Sequence, residues 1–217
     1  MSQTQKSKRT YRSTRRQAQA RRTRGEILAA ARQLFIERGY NGATIEAIAQ
    51  QAGVAQETVF AVFGNKRNLL ASLMDVAVGG DERPIALLQR PGPQSVLHQR
   101  DPVQQLHMFA KDIANILERV APIFEVLRMA AKTEADIAEL LQNLLAERMR
   151  NMEVFVGHLA DHSPLRQGLD TNQAAEIVWA ISSPEVFNLF TVDRGWSKEK
   201  YLDWLGDTLV QLLLPGG

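Results

Sequence analysis

The sequence predicts an all-α protein of about nine or ten helices. Three observations carry that reading. Apolar residues recur at i, i+3 and i+4 along nearly the whole chain, as in Ile27, Ala30, Ala31, Leu34 and Phe35. Helix-starting residues (Thr44, Asn65, Asp101, Asp170, Ser197) and Gly or Pro breakers punctuate these stripes. No stretch alternates apolar and polar as a half-buried strand does, and there is no internal repeat.

The first element is a basic arm. Residues 1–24 hold nine of the 26 basic residues and no acid, so the remainder carries 17 basic against 24 acidic groups and is net −7 although the chain is +2. A basic arm on an acidic body is the pattern of a nucleic-acid contact at one end, the alternative being a merely solvated tail. Residues 1–13 are expected to be disordered. Residues 14–24, rich in Gln, Ala and Arg, lengthen the first helix once phosphates neutralise them. Thr23 and Glu26 match a capping box that starts this helix near Arg24, and Gly39 ends it.

Residues 44–66, TIEAIAQQAGVAQETVFAVFGNK, read as two short helices and a third helix start. Thr44 caps a helix whose Ile45, Ile48 and Ala49 share a face, and Gly53 stops it in the left-handed conformation. The next helix carries Val59, Phe60, Val62 and Phe63 behind Gln56, Glu57 and Thr58, and breaks at Gly64. This is a helix-turn-helix candidate, whose second helix would enter a DNA major groove. Asn65 then caps a fourth helix through Leu69, Leu70, Leu73, Met74 and Ala77, ending at Gly79 and Gly80.

Residues 81–89 read as a short helix and 90–94, with Pro91 and Pro93, as a loop. Asp101 and Pro102 open a helix striped by Leu106, Phe109, Ile113 and Leu117, and Pro122 opens another through Phe124 and Met129. Thr133, with Asp136 three residues on, starts a long helix through Ile137, Leu140, Met152 and Phe155. Residues 162–168 form a loop. Asp170 with Gln173 starts a further helix that Pro184 must interrupt. Ser197 caps the last one, whose Tyr201, Trp204, Leu205 and Leu209 make an apolar face wider than one-sided burial requires.

With 217 residues, 45% of them hydrophobic and 23% charged, the chain is expected to be globular, with one domain or two small ones. No apolar run reaches the roughly 18–20 residues of a membrane span. The basic N-terminus lacks the apolar core of a secretory signal, and the absence of cysteine fits a cytoplasmic location. No cofactor is implied. His158 and His162 flank Asp161 at metal-ligand spacing, but a third ligand is missing, so no metal site and no enzyme are expected.

The stretch ILAAARQLFIERGYNGATIEAIAQQAGVAQETVFAVFGNKRNLL resembles the DNA-binding domain of the TetR (tetracycline repressor) family of bacterial regulators. The resemblance rests on Ala31, Leu34, Phe35, Gly39, Tyr40, Thr44, Ile48, Ala49, Gly53, Val54, Thr58, Phe60, Phe63, Lys66, Leu69 and Leu70. Charge sets off a basic arm over 1–20, expected to be disordered, and the resemblance implies a DNA-binding domain over 21–81 with its helix-turn-helix at 44–63 and a helical effector-binding and dimerisation domain over 82–217. DNA contacts would come from Arg21, Arg22, Arg24, Thr44, Ala55, Gln56, Glu57, Thr58, Phe60, Asn65 and Lys66. Thr44 and Lys66 would hold phosphates, while Gln56, Glu57 and Thr58 would reach base edges.

The pattern is broken at three positions. Phe60 replaces a usual Tyr, Val62 a usual His or Tyr, and Ala55 a usual Ser or Thr cap. The resemblance further implies a homodimer through Tyr201, Trp204, Leu205 and Leu209 on a near-palindromic double-stranded operator. It also implies a small-molecule pocket among Met108, Phe109, Phe124, Met129, Met152, Phe155 and Trp179, with His107 or His158 orienting a largely apolar ligand. A repressor released by that ligand is the expected function. The alternative is an effector-independent architectural regulator dominated by its basic arm.

Overall fold

The computed structural model describes residues 3–216, with side chains described from residue 16 onward. Expectations for residues 1 and 2, and for the side chains of Lys6, Lys8, Arg9, Arg12 and Arg15, therefore lie outside the described residues. Among the described residues there are α-helices and short 3-10 and π turns but no strand. None of these helices is long and apolar enough to cross a membrane. The chain divides into two compact units, Met1–Leu73 and Met74–Gly217.

In the first unit, α1 runs Gln3–Gly42, with a break at Gly39 (φ 68, ψ 176). It is followed by α2 (Ile45–Ala52), α3 (Gln56–Phe63) and the start of α4 (Lys66–Gly79). The expected helix start near Arg24 is not there. Residues 3–24 contain neither Gly nor Pro, so nothing in them stops a helix, and the stretch expected to be disordered is helical from Gln3 on. Glu26 accordingly does not cap; it accepts from Arg22 Nε at 2.9 Å, one turn back. Ile27, Ala31, Phe35, Ile48, Leu69 and Leu70 are fully buried and form the core of this unit. α2 is capped as expected: Thr44 Oγ1 accepts from Ala47 N at 3.1 Å, and Gly53 sits at φ 66.

The second unit holds the end of α4, then α5 (Pro91–His98), α6 (Pro102–Ala130), α7 (Ala135–Ala160), α8 (Thr171–Ile181), α9 (Pro184–Asn188) and α10 (Lys198–Leu213). α6 is central, packing against α5, α7, α9 and α10, while α8 packs on α7. Asp101, Asp170 and Ser197 cap α6, α8 and α10 through Gln104, Gln173 and Lys200 N–H groups. Pro184 ends α8 as expected, with Ser183 capping α9.

Four boundaries differ from the expectation. Residues 81–86 form no helix, because Asp81 instead binds the backbone and side chain of Arg83 and the side chain of Arg90; only Leu87–Gln89 makes a 3-10 turn. The stretch expected to be a loop starts α5, since both prolines fall in its first turn, where no intrahelical N–H bond is lost. Pro122 lies inside α6 rather than opening a new helix. An internal proline costs about 3 kcal/mol, but Val120, Ala121, Ile123, Phe124, Val126 and Leu127 are all buried around it and hold the helix together. Finally, Thr133 does not cap α7. Its Oγ1 donates back to the Ala130 carbonyl, and Glu134 takes the cap position without a side-chain bond.

Candidate nucleic-acid interface and ligand cleft

Helix α3 has two faces. Val59 and Phe63 are buried, whereas Gln56 and Glu57 are exposed, Phe60 is 48% exposed and Val62 37%. The face turned to solvent thus offers an amide and a carboxylate at the start of a short helix and a ring and an aliphatic group further along it. Such an array can take hydrogen bonds from base edges and pack on a thymine methyl. Thr58 is half-buried, and Ala55 leaves the helix without a side-chain cap.

The residues expected to hold phosphates have partners already. Thr44 accepts from Ala47 N, which leaves its hydroxyl proton to donate. Asn65 Oδ1 accepts from Asn68 N at 2.8 Å, so Asn65 is the cap of α4. Lys66 donates to the Tyr40 carbonyl at 2.9 Å and lies 4.2 Å above the Tyr40 ring, fastening the start of α4 to the end of α1. Arg24 stacks its guanidinium 4.6 Å over the Phe63 ring, against the base of α3. Arg21 and Arg22 are exposed, the latter paired with Glu26.

In the second unit a cleft of about 420 Å³, open solvent included, lies between α5, α6 and α7. Three of the expected pocket residues line it: Phe109, Met152 and Phe155. The Phe109 and Phe155 rings stack at 4.2 Å. Four do not. Met129 is 59% exposed, and Phe124 is buried with Arg128 5.5 Å from its ring. Trp179 lies under Arg148, which donates to its carbonyl and to Ser182 Oγ, and the half-buried Met108 sulfur accepts from Gln99 Nε2 at 3.8 Å. Burial lowers the Arg148 guanidinium to about 10, against the pull of Glu185 and Tyr201. His107 packs on Gly206 beside Asp207, and His158 is exposed; neither lines the cleft.

Periodicity gives no sign of the wall contributed by Leu87, Leu88, Pro93, Val96 and Leu97, because 81–89 reads as a separate short helix and 90–94 as a loop, which hides the packing of α5 on α6. Periodicity also misses Asp112, the one acid in the cleft lining, although Asp112 stands out as a charge bordering the apolar stripe of α6. Burial pushes the Asp112 carboxyl above the ordinary carboxylate range, with Arg119 pulling the other way.

The expected dimer face is mostly interior. Tyr201, Leu205 and Leu209 are fully buried within the protomer, and only Trp204 keeps partial exposure. The breadth of that stripe is used up by α6 on one side and by the aromatic cluster Phe187, Phe190 and Trp196 on the other. Among the described residues no group of three or more His, Cys, Asp or Glu could hold a metal ion.

A capped helix, a left-handed glycine turn and a second helix with an exposed polar face define a helix-turn-helix regulator of transcription. The chain matches the family model of bacterial regulatory proteins, tetR family, over residues 27–73. It is 30% identical over 148 residues to the HTH-type transcriptional repressor BepR of Brucella suis, covering 67% of this chain and 68% of that protein. This chain belongs to the TetR family of transcription regulators. The fold is shared with NalD, the secondary repressor of the MexAB-OprM multidrug efflux pump in Pseudomonas aeruginosa (TM-score 0.66, 22% identity, 88% and 96% of the two chains covered). It is shared too with FadR of Bacillus subtilis in complex with stearoyl-CoA (TM-score 0.68, 19% identity, 85% and 96% covered).

Proposed function

We propose that this regulator is a dimeric repressor that a small, largely apolar ligand releases from a near-palindromic operator. Residues 1–20 form its basic arm, 21–81 the DNA-reading head, and 82–217 the effector and dimerisation body. The observation that carries the reading is the split face of α3, which exposes Gln56 and Glu57 while burying Val59 and Phe63. Gln56 suits adenine and Glu57 the amino group of cytosine, while Thr44 supplies a hydroxyl to a phosphate. Arg21 and Arg22 lie along the backbone. Lys66 and Arg24 act by holding the head together as much as by touching DNA.

The apolar cleft supports control by a ligand, as does the stearoyl-CoA held by FadR. α4 gives the signal a route. Its carbonyl end, at Ala77, Val78 and Gly79, is gripped by Arg119 and Arg90, and Arg90 lies between the cleft residues Leu88 and Pro93 in the chain. A ligand that displaces this wall pulls on the helix whose other end begins beside the reading head.

Selection of bound sequences from a random DNA pool, with the full chain at moderate salt, tests the proposal. An enriched near-palindrome is the expected result. Enrichment of nothing, with binding lost as salt rises, would replace it with the architectural reading in which the helical basic arm dominates. Deleting residues 1–20 should then lower affinity and salt slope together; an unchanged slope would remove the arm from either account.

A further inference from the structure

The cleft between α5, α6 and α7 is apolar except at two side chains. Asp112 projects from α6 and Asn151 from α7, among Phe109, Ile113, Met152 and Phe155. No hydrogen bond or ion pair within the protein closes on either side chain among the described residues. The Asp112 carboxylate presses on the first turn of α5, where a Cβ added at Gly92 would lie 2.6 Å from Oδ1. A helix start ordinarily offers several N–H groups to an anion, but here Pro91 and Pro93 remove two of them and leave only that of Gly92 in the first three positions. Arg119, the nearby positive field, directs its donors to the carbonyls of Ala77, Val78 and Asn115. Glycine at 92 leaves room for the carboxylate at the cleft wall, where Arg119 acts on it as a field rather than through a bond.

A half-buried carboxylate in an apolar surround gains from a counter-charge that reaches it, the more so as the ligand displaces water. We propose that the effector of this cleft is an amphiphilic organic cation, whose ammonium pairs with Asp112 and accepts orientation from the Asn151 carbonyl while its hydrocarbon body packs on Phe109, Met152 and Phe155. The proposal rests on the cleft being the effector site. It also implies a selectivity: ligands that bring a carboxylate or phosphate to the same place meet Asp112 as a like charge and are rejected. Neutralising Asp112 further removes its attraction for Arg119, which holds the end of α4, so binding reaches the helix through one electrostatic link.

The test uses the full chain with three probes of equal hydrocarbon length: octylamine, octanol and octanoate. Dissociation constants come from calorimetry, and release of the selected operator from fluorescence anisotropy. Octylamine is expected to bind about tenfold tighter than octanol, the worth of one charge-assisted bond, with octanoate weakest. Asp112→Asn should bring amine and alcohol within roughly threefold while leaving octanol unchanged. Equal binding of all three, a preference for octanoate, or an amine preference that survives Asp112→Asn would overturn the cation proposal. Of those outcomes, octanol or octanoate binding that still releases the operator would leave the cleft as effector site. No binding by any probe, with the operator retained, would overturn both.

Discussion

Arg90 Nη1 donates to the Gly79 carbonyl at 2.6 Å, so the last residue of α4 is held by a buried guanidinium from the turn before α5. The same side chain bonds Asp81 Oδ1 and the carbonyls of Arg83 and Ile85, and it thereby shapes the whole connection between the two helices. Arg90→Leu strands these carbonyls and should cost at least about 2 kcal/mol. Thermal unfolding would read that as a fall of roughly 4–8 °C. Gly79→Ala should act in the same direction, because its Cβ would lie 2.5 Å from Arg90 Nη2. In either variant that remains folded, ligand should release DNA less well at equal ligand occupancy.

The two short helices of the head differ in one correctable way. Thr44 caps α2, whereas Ala55 gives α3 no side-chain bond. Ala55→Ser should therefore stabilise the chain by about 1 kcal/mol, and Thr44→Ala should destabilise it by a similar amount. Paired chemical denaturation of the two variants checks both signs.

Most of the reading head was legible because its signals are local. Thr44, Gly53, Asn65 and the buried Ile48 and Phe63 each follow from a cap, a left-handed turn or a helical stripe within a few residues. The connections in the body were not. Asp81 lost its helix to its bonds with Arg83 and with Arg90 nine residues on, and Pro122 kept its helix through buried neighbours that periodicity alone does not weigh. The cleft suffered similarly. Phe109, Met152 and Phe155 were found as bulky residues on apolar faces, but Trp179 looks the same in sequence and lies under Arg148 instead. The Tyr201, Leu205 and Leu209 stripe was broad because two internal partners flank it, a distinction periodicity cannot make.

Base contacts and phosphate contacts should separate in experiment. Gln56→Ala and Glu57→Gln are expected to change which base is preferred, by about 1–3 kcal/mol at one position of each half-site. Arg21→Ala should instead weaken all sequences alike and reduce the salt slope by about 1. Phe60→Tyr adds a hydroxyl to an exposed ring and should raise affinity without altering preference. Repeating the random-pool selection with each variant, alongside salt titrations, decides all of these.

The free protein should carry a pH signature at Asp112. Its carboxyl is raised by burial, so ionising it opposes folding at neutral pH. A raised acid costs stability above its folded pKa and nothing below its unfolded one. Asp112→Asn should thus melt higher than the parent at pH 7, and the gap should close as pH falls through the carboxylate range. Parallel melting curves from pH 7 to pH 4 check the sign, and a gap that widened in acid would reverse the assignment.

The unbroken course of α1 from the arm into the core of the head gives its charges a phase. Each residue of an α-helix turns the chain by about 100°, so Arg16, Arg21 and Arg22 point in directions fixed by how many residues separate them from Ile27. A tether would tolerate an inserted alanine near residue 20 without notice. A rod does not: one added residue swings Arg16 to another side of the helix, while a run of seven, close to two full turns, restores its bearing. The arm is therefore addressed by angle, and alanine insertions of increasing length should make DNA affinity fall and recover with the period of the helix.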